Sequence, residues 1–105
     1  MMNNVVLAGK VSELPQLKET TNGTKYATIV LEVTRPFRNS SGQYDSDRIA
    51  VTLWKGIAET AMDVCKLGDT IGVKARVQTF SVEKETQTYY NYEFIAEQVS
   101  FLSAP

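Results

Sequence analysis

An aromatic ring and a cation lie on the same face of one predicted strand in the middle of the chain. The segment from Asp47 to Trp54, DRIAVTLW, alternates apolar and polar residues, as a strand with one buried face does. Its odd-numbered apolar residues predict a core face, and Arg48 and Trp54 fall on the opposite face. An aromatic ring stacks on a nucleobase and a guanidinium binds a phosphate, so this face suits binding of a nucleic-acid strand. A ring that only covers the core beside the following helix gives the same pattern.

The next predicted strand repeats this arrangement. Its odd-numbered residues between Ile71 and Val77 are apolar and predict a core face. The opposite face carries two cations, an amide and a ring: Lys74, Arg76, Gln78 and Phe80. Rings that stack on bases beside cations that follow the phosphates bind single strands without reading their sequence. A solvated face of an antiparallel sheet has the same charged composition.

A third group of rings and cations surrounds a predicted loop. Pro36 is expected to end the strand before it, and residues 38–46, RNSSGQYDS, have the composition of an exposed loop. The candidate binding residues here are Arg35, Phe37 and Arg38 at its edge and Tyr44 inside it. We expect a hairpin that closes over a bound strand, although a ring that packs on its own hairpin fits equally well.

Three further sites have two interpretations each. Lys55 follows Trp54 directly, and it either reaches a phosphate or solvates the first turn of the helix. Lys10 lies on the first strand, where a subunit contact is favoured over nucleic acid. The last strand is dense in aromatics, which predicts core and subunit contacts for Tyr89, Tyr90 and Tyr92.

The composition limits the class of protein. A chain of 105 residues with 43% hydrophobic residues predicts one domain, residues 1–105. Without a long apolar run we expect no membrane span and no signal peptide, hence a cytoplasmic protein. The net charge of −1 leaves the placement of the 11 cations to decide whether phosphate is bound. A lone Cys65 and no histidine predict no disulfide, no metal, no cofactor and no enzyme activity.

The order of elements predicts a fold. A first strand at residues 4–11 includes Gly9, which suits a bend or a close backbone approach, and a short extension at 16–20 precedes a turn at Asn22-Gly23. The second strand covers 25 to about 35, and the third is the segment described first. Residues 58–65 predict a helix that ends at Leu67-Gly68, with an apolar stripe of Ala58, Ala61, Met62 and Cys65.

Two more strands follow the helix, the fourth from about residue 71 and the fifth from 89 to 102, joined by a polar connection at 83–88. Five strands with one helix between the third and fourth strands predict an all-β OB-fold, a Greek-key barrel that binds oligonucleotides or oligosaccharides.

The sequence resembles the bacterial single-stranded DNA-binding protein family in five segments along nearly the whole chain. These segments are NNVVLAGKVSELPQL, VTRPFRNSSGQ, DRIAVTLWKGIAETA, KLGDTIGVKARVQT and YEFIAEQVSFL. The resemblance implies an OB-fold, sequence-tolerant binding of single-stranded DNA in replication, recombination or repair, and a homotetramer. A related alternative is the primosomal replication protein N, a replication-restart adaptor, commonly a dimer, whose main role is contact with other proteins.

Carried over by position, the resemblance implies stacking aromatics at Phe37 and Trp54. Two family aromatics are replaced, one by Arg48 and one at about Val82, with Phe80 two residues earlier on the same face. The family's long form also carries a flexible linker and an acidic tip that recruits replication or recombination proteins. If this sequence is complete, we expect that route to be absent.

The first strand is the expected subunit contact. Val5 and Leu7 alternate with Val6 and Ala8, so both of its faces are apolar, as in a strand that is buried on two sides. We therefore predict a homo-oligomer joined through this strand, as a tetramer of paired dimers or as a dimer.

Overall fold

Five long strands close on themselves to form a barrel in the computed structural model, which describes residues 1–102. Residues 103–105, the end of the predicted single domain, lie outside the described residues. The elements are β1 (Val5–Glu13), β2 (Lys18–Glu19), β3 (Lys25–Arg38), β4 (Tyr44–Trp54), α1 (Lys55–Val64), β5 (Thr70–Lys84) and β6 (Gln87–Phe101). The strand order β1-β5-β6-β4-β3, closed by pairing of β1 with β3, confirms the predicted barrel.

The barrel interior contains the alternate residues of every long strand. The largest fully buried side chains are Ile29, Leu31, Val51, Leu53, Ile71 and Val73. Each contributes about 1.5–3 kcal/mol by leaving water. The predicted core faces of β4 and β5 are therefore confirmed. The opposite faces of these two strands carry Arg48 and Trp54, and Lys74, Arg76, Gln78 and Phe80.

Strand β1 closes the barrel by changing partners. Its residues from Val5 to Lys10 pair with β5, and those from Lys10 to Glu13 pair with β3, with a register shift after Val11. A Cβ on Gly9 would lie 2.5 Å from the carbonyl oxygen of Glu32 in β3. The predicted close backbone approach is thus present, and only glycine permits it without displacement of β3.

Helix α1 covers one end of the barrel and connects β4 with β5. Ala58, Ala61 and Cys65 are buried against the core, as predicted. Met62 is 40% exposed, so its place in the predicted apolar stripe is wrong. The helix ends at Val64 instead of continuing to residue 67, and Gly68, with φ of 85°, belongs to the following turn.

The strand ends at both long hairpins were predicted wrongly because these hairpins extend beyond the barrel. Strand β3 continues through Pro36 to Arg38, and β4 begins at Tyr44, so the loop is only residues 39–43. Proline lacks the amide hydrogen of a regular ladder, and the register is irregular between Thr34 and Arg38 while the chain stays extended. Strand β5 likewise reaches Lys84, and two residues suffice to turn into β6.

The hairpin turn predicted at Asn22-Gly23 is confirmed, with Gly23 at φ of 86° between β2 and β3.

In the described part of the chain, no helix has the length and apolar character needed to cross a membrane.

Replacing Gly9 by alanine tests the closure of the barrel. Gly9→Ala should lower the free energy of unfolding by about 1–3 kcal/mol, because the new methyl group must displace the β3 backbone. Gly56→Ala is the matched control, since a Cβ there meets nothing within 4 Å. That control should be neutral or stabilising by up to about 1 kcal/mol, because alanine favours a helix. Urea unfolding decides, and equal stabilities for the two variants would contradict the close approach.

Candidate nucleic-acid interface

Trp54 lies at the end of β4 on the outward face of the barrel. It is paired with Tyr26 of β3, and the two rings contact each other with centroids 5.0 Å apart at an angle of 33°. Trp54 is only partly buried, and the core cluster does not include it. The tyrosine therefore supports the indole from one strand while part of the ring remains accessible.

A groove beside Trp54 contains two of the predicted cations. Its volume is about 410 Å³. Its lining consists of Trp54, Lys55, Ile57, Arg76, Gln78, Glu93, Ile95 and Ala96. The structure thus brings residues from β4, α1, β5 and β6 to one place, and the groove combines a ring and two cations with one carboxylate.

The floor of this groove depends on the pairing of β4 with β6. Thr52 pairs with Ile95 in parallel, and Ile95 pairs with Arg76 across the next ladder. Thr52 and Ile95 are 8% and 4% exposed. Paired residues share a face, so Trp54, two residues beyond Thr52, and Arg76 lie on the same face as Ile95, which lines the groove.

Lys55 enters the groove through an unusual backbone conformation. Its φ is 54°, in the left-handed region that residues other than glycine seldom adopt. This residue turns the chain from strand into helix directly after Trp54. The conformation places the ammonium-bearing chain on the groove side, where it lines the same surface as Arg76.

The remaining strand cations differ in how far their charge is already neutralised. Arg76 lies 3.6 Å from the Glu97 carboxylate and donates to Gln78 at 3.4 Å. Arg48 and Lys74 are exposed and, within residues 1–102, make no ion pair. The outward face of β4 and β5 therefore retains cations that are accessible to an anion.

Arg35 is occupied by carboxylates of its own hairpin. Its guanidinium donates two hydrogen bonds to Asp47, at 3.0 and 2.8 Å, and lies 3.8 Å from Asp45. The hydrogen bonds from Arg35 hold the pKa of the Asp47 carboxyl below its usual value, and Asp47 raises the pKa of Arg35. A phosphate would have to compete with these two acids, a cost that the sequence did not indicate.

The β3–β4 hairpin, residues 34–47, is ordered by its turn. The side-chain oxygen of Asn39 accepts hydrogen bonds from the amides of Ser41 and Gln43 at 2.9 and 3.0 Å. Tyr44 is therefore the first residue of β4 and not a loop residue, and Arg38 lies over its ring at 5.5 Å. Phe37 is 63% exposed near this end of the hairpin.

The β5–β6 hairpin, residues 78–93, carries the ring of Tyr89 on its outward face, although the sequence predicted core and subunit contacts for this residue. Phe80 is 49% exposed on the outward face. Tyr89 pairs with Val82 and therefore shares that face. Tyr90 and Tyr92 pair with Ser81 and Thr79 on the other face and are 67% and 71% exposed. The prediction of core contacts for these three tyrosines is wrong, because the hairpin extends beyond the barrel.

A second groove and the single cysteine lack the combination of a ring and cations found in the groove beside Trp54. A neighbouring groove between α1 and β6 has a volume of about 330 Å³. Glu97 is the one charged residue among those that line it. Burial raises the pKa of the Cys65 thiol, and the Asp69 carboxylate raises it further, so the thiol is protonated at neutral pH.

The sequence matches a family of known proteins along nearly its whole length. Residues 2–102 match the Single-strand binding protein family. The chain belongs to that family. The "Single-stranded DNA-binding protein B" of Bacillus subtilis is 37% identical over 103 residues, which are 97% of this chain and 91% of that protein. The "Single-stranded DNA-binding protein 3" of Listeria innocua is 39% identical over 105 residues, 99% of this chain and 66% of that protein. The chain thus spans about two thirds of the length of the Listeria relative.

A solved structure described as a Plasmodium falciparum SSB complex with ssDNA has the same fold. It superposes with a TM-score of 0.81 at 20% identity, over 98% of this chain and 96% of that chain. The OB-fold predicted for this chain is therefore confirmed.

Replacing Arg35 by the uncharged glutamine tests the ion pair in the β3–β4 hairpin. The pKa of Asp47 is lower in the folded protein than its ordinary value of 3.8. The ion pair therefore stabilises the fold at pH values above 3.8, and this stabilisation is lost as the pH falls through the pKa of Asp47 in the folded protein. We expect Arg35→Gln to lower the urea midpoint at neutral pH, and the difference from the unmodified protein to shrink below pH 3.8.

Arg38→Gln is the control for this experiment, because Arg38 makes no ion pair within residues 1–102. Its effect on the midpoint should not depend on pH in this range. An Arg35→Gln effect that stayed constant from neutral pH to pH 3 would mean that the ion pair does not stabilise the hairpin.

Proposed function

We propose that this protein binds single-stranded DNA with little sequence preference, by base stacking and phosphate neutralisation. The observation that carries the proposal is the groove in which Trp54, Lys55 and Arg76 meet on one outward face of the barrel. Rings that accept any base and cations that accept any phosphate give sequence-tolerant binding. The names of the relatives, which are single-stranded DNA-binding proteins, support the same function.

The proposed path of the strand runs along the outward faces of β4 and β5. Trp54 stacks a base at the groove, and Phe80 stacks another farther along β5. The cations that neutralise phosphates along this path are Arg48, Lys55, Lys74 and Arg76. The β3–β4 hairpin adds Phe37, Tyr44, Arg38 and, against competition from Asp47, Arg35.

The family supports roles in DNA replication, recombination or repair, because these processes expose single strands that need protection. We propose that the protein acts there by binding and not by catalysis. A protein-binding adaptor of the primosomal type would use the same face to dock a partner, and it would not require the ring and the cations to contact DNA.

The intrinsic fluorescence of Trp54 gives a direct test of binding. Titration with oligo-dT at low salt should quench this fluorescence, and the affinity should fall as salt rises, because bound phosphates release counterions.

Trp54→Ala, followed by anisotropy of a labelled oligonucleotide, should weaken binding by about 1–3 kcal/mol with little change in salt dependence. Arg76→Ala should lower the slope of log K against log salt by about one.

Lys66→Ala is the matched control, because this lysine lies in the turn after the helix and outside the groove. It should leave both affinity and slope unchanged. Absence of quenching at low salt, or an equal loss of slope for Lys66→Ala and Arg76→Ala, would contradict the proposed interface.

We further propose that the protein is a homo-oligomer joined through β1, as a tetramer or a dimer. Val6 is 78% exposed, and Ala8 on the same outward face is also exposed, so a second copy that covered β1 would remove these apolar side chains from water. Lys10 lies on the same face, so it would be near the contact. Lys74 is paired with Val6, so a second copy would also lie beside this cation.

Light scattering tests the oligomer. We expect a mass near four times the 11.7 kDa of one chain, or near twice that mass for a dimer. Val6→Asp should reduce the mass, because a carboxylate in an apolar contact loses its hydration. Leu67→Asp, at a site that is 62% exposed in the turn after the helix, should not. A mass near 11.7 kDa for the unmodified protein would contradict the proposal.

A further inference from the structure

The cross-strand register of the β5–β6 hairpin places a second ring at the position where the family resemblance expects an aromatic and this chain has Val82. Val82 pairs directly with Tyr89, so the two side chains lie on the same face with Cβ atoms about 4.5–5.5 Å apart. Phe80 pairs with Asn91, which makes Tyr89 its diagonal neighbour on that face. The ring absent from β5 is therefore present one strand away.

We propose that Tyr89 is a base-stacking residue, and that Phe80, Val82 and Tyr89 form one platform that carries the DNA strand from the groove at Trp54 onto the hairpin. The proposal rests on the proposed binding of single-stranded DNA, and it adds a site to that interface. Phe80 and Tyr89 are each 49% exposed, and Val82 between them is 36% exposed. Apolar surface thus runs along the outward face of the hairpin, and two rings on it remain accessible to bases.

The Tyr89 ring has a hydrogen-bond partner on its own strand. Its hydroxyl donates a hydrogen bond to the side-chain oxygen of Gln87 at 2.6 Å. Gln87 is two residues away on the same strand, so this bond favours a ring that lies along the face shared with Val82. A ring restrained in this way loses less conformational entropy when a base stacks on it.

The charges on the hairpin fit the passage of a phosphate backbone on this face. Lys84 pairs with Gln87 at the end of the face, and within residues 1–102 it makes no ion pair. Glu83 pairs with Thr88 and therefore lies on the opposite face. The carboxylate of Glu85 lies in the turn, and that of Glu93 lies at the groove end, so the platform between them has no acid among its paired residues.

Tyr90 provides a matched control of the same residue type. It is the next residue along β6, it is 67% exposed, and it pairs with Ser81 on the opposite face. If stacking occurs on the Phe80 face, removal of one tyrosine ring should matter and removal of its neighbour should not. Circular dichroism and light scattering of each variant establish that fold and mass are unchanged before binding is compared.

The experiment is a titration of each variant with oligo-dT of about 16 nucleotides, a length within the site sizes of OB-folds, followed by Trp54 fluorescence. Tyr89→Ala should weaken binding about 5- to 150-fold with little change in salt dependence, since one stacked base is lost. Tyr89→Phe should stay within about 5-fold of the unmodified protein, because the ring remains and only the bond to Gln87 is lost. Tyr90→Ala should bind as the unmodified protein does.

A swap variant, Val82→Tyr with Tyr89→Val, keeps the composition and returns the ring to the same face from the paired strand. It should recover at least half of the affinity, on a logarithmic scale, that Tyr89→Ala loses, and it keeps the test available if the alanine variant unfolds. Unaltered affinity for Tyr89→Ala, equal losses for the Tyr89 and Tyr90 alanine variants, or a swap as weak as Tyr89→Ala would overturn the proposal. In each of these outcomes the unmodified protein still binds oligo-dT, whereas absence of that binding would overturn the proposed function itself.

Discussion

The parallel pairing of β4 with β6 is the contact on which the candidate interface depends. Only two residue pairs form it, Val51 with Phe94 and Thr52 with Ile95, yet it joins the two halves of the barrel. Its inner pair includes Val51 of the core, and Ile95 of its outer pair lines the groove. Because strand residues alternate between faces, this one register places Trp54 and Arg76 at the same groove.

The electrostatics of the molecule are local and not global. A net charge of −1 gives no general attraction to a polyanion. The acids are used in specific places, where Asp47 and Asp45 neutralise Arg35 and Glu97 lies near Arg76. Three of the cations that make no ion pair within residues 1–102, namely Arg48, Lys55 and Lys74, lie on or beside the outward face of β4 and β5. A phosphate backbone that follows these cations also passes the rings.

The outward face was predictable from the sequence because it follows from alternation alone. The parity of β4 and β5 separates Trp54 and Arg76 from the core residues, and the order of elements indicates a barrel that brings these strands together. The place of Tyr89 was not predictable, because it depends on which residue of β5 pairs with it. The ion pair of Arg35 depends likewise on the register between β3 and β4, since Asp47 is twelve residues away. Pro36 predicted the end of β3 wrongly, because the strand continues to Arg38 through an irregular register in a hairpin outside the barrel.

The measurement that tests the account most directly is a map of backbone amide NMR shifts during titration of the isotope-labelled protein with oligo-dT. Changes should concentrate at Trp54, Lys55 and Arg76, and extend along the outward residues of β5 and β6 to Tyr89. Residues in the turn after the helix, such as Lys66, should change little. Shift changes that were spread over the whole barrel or confined to the turn after the helix would contradict the proposal that one continuous face binds the strand.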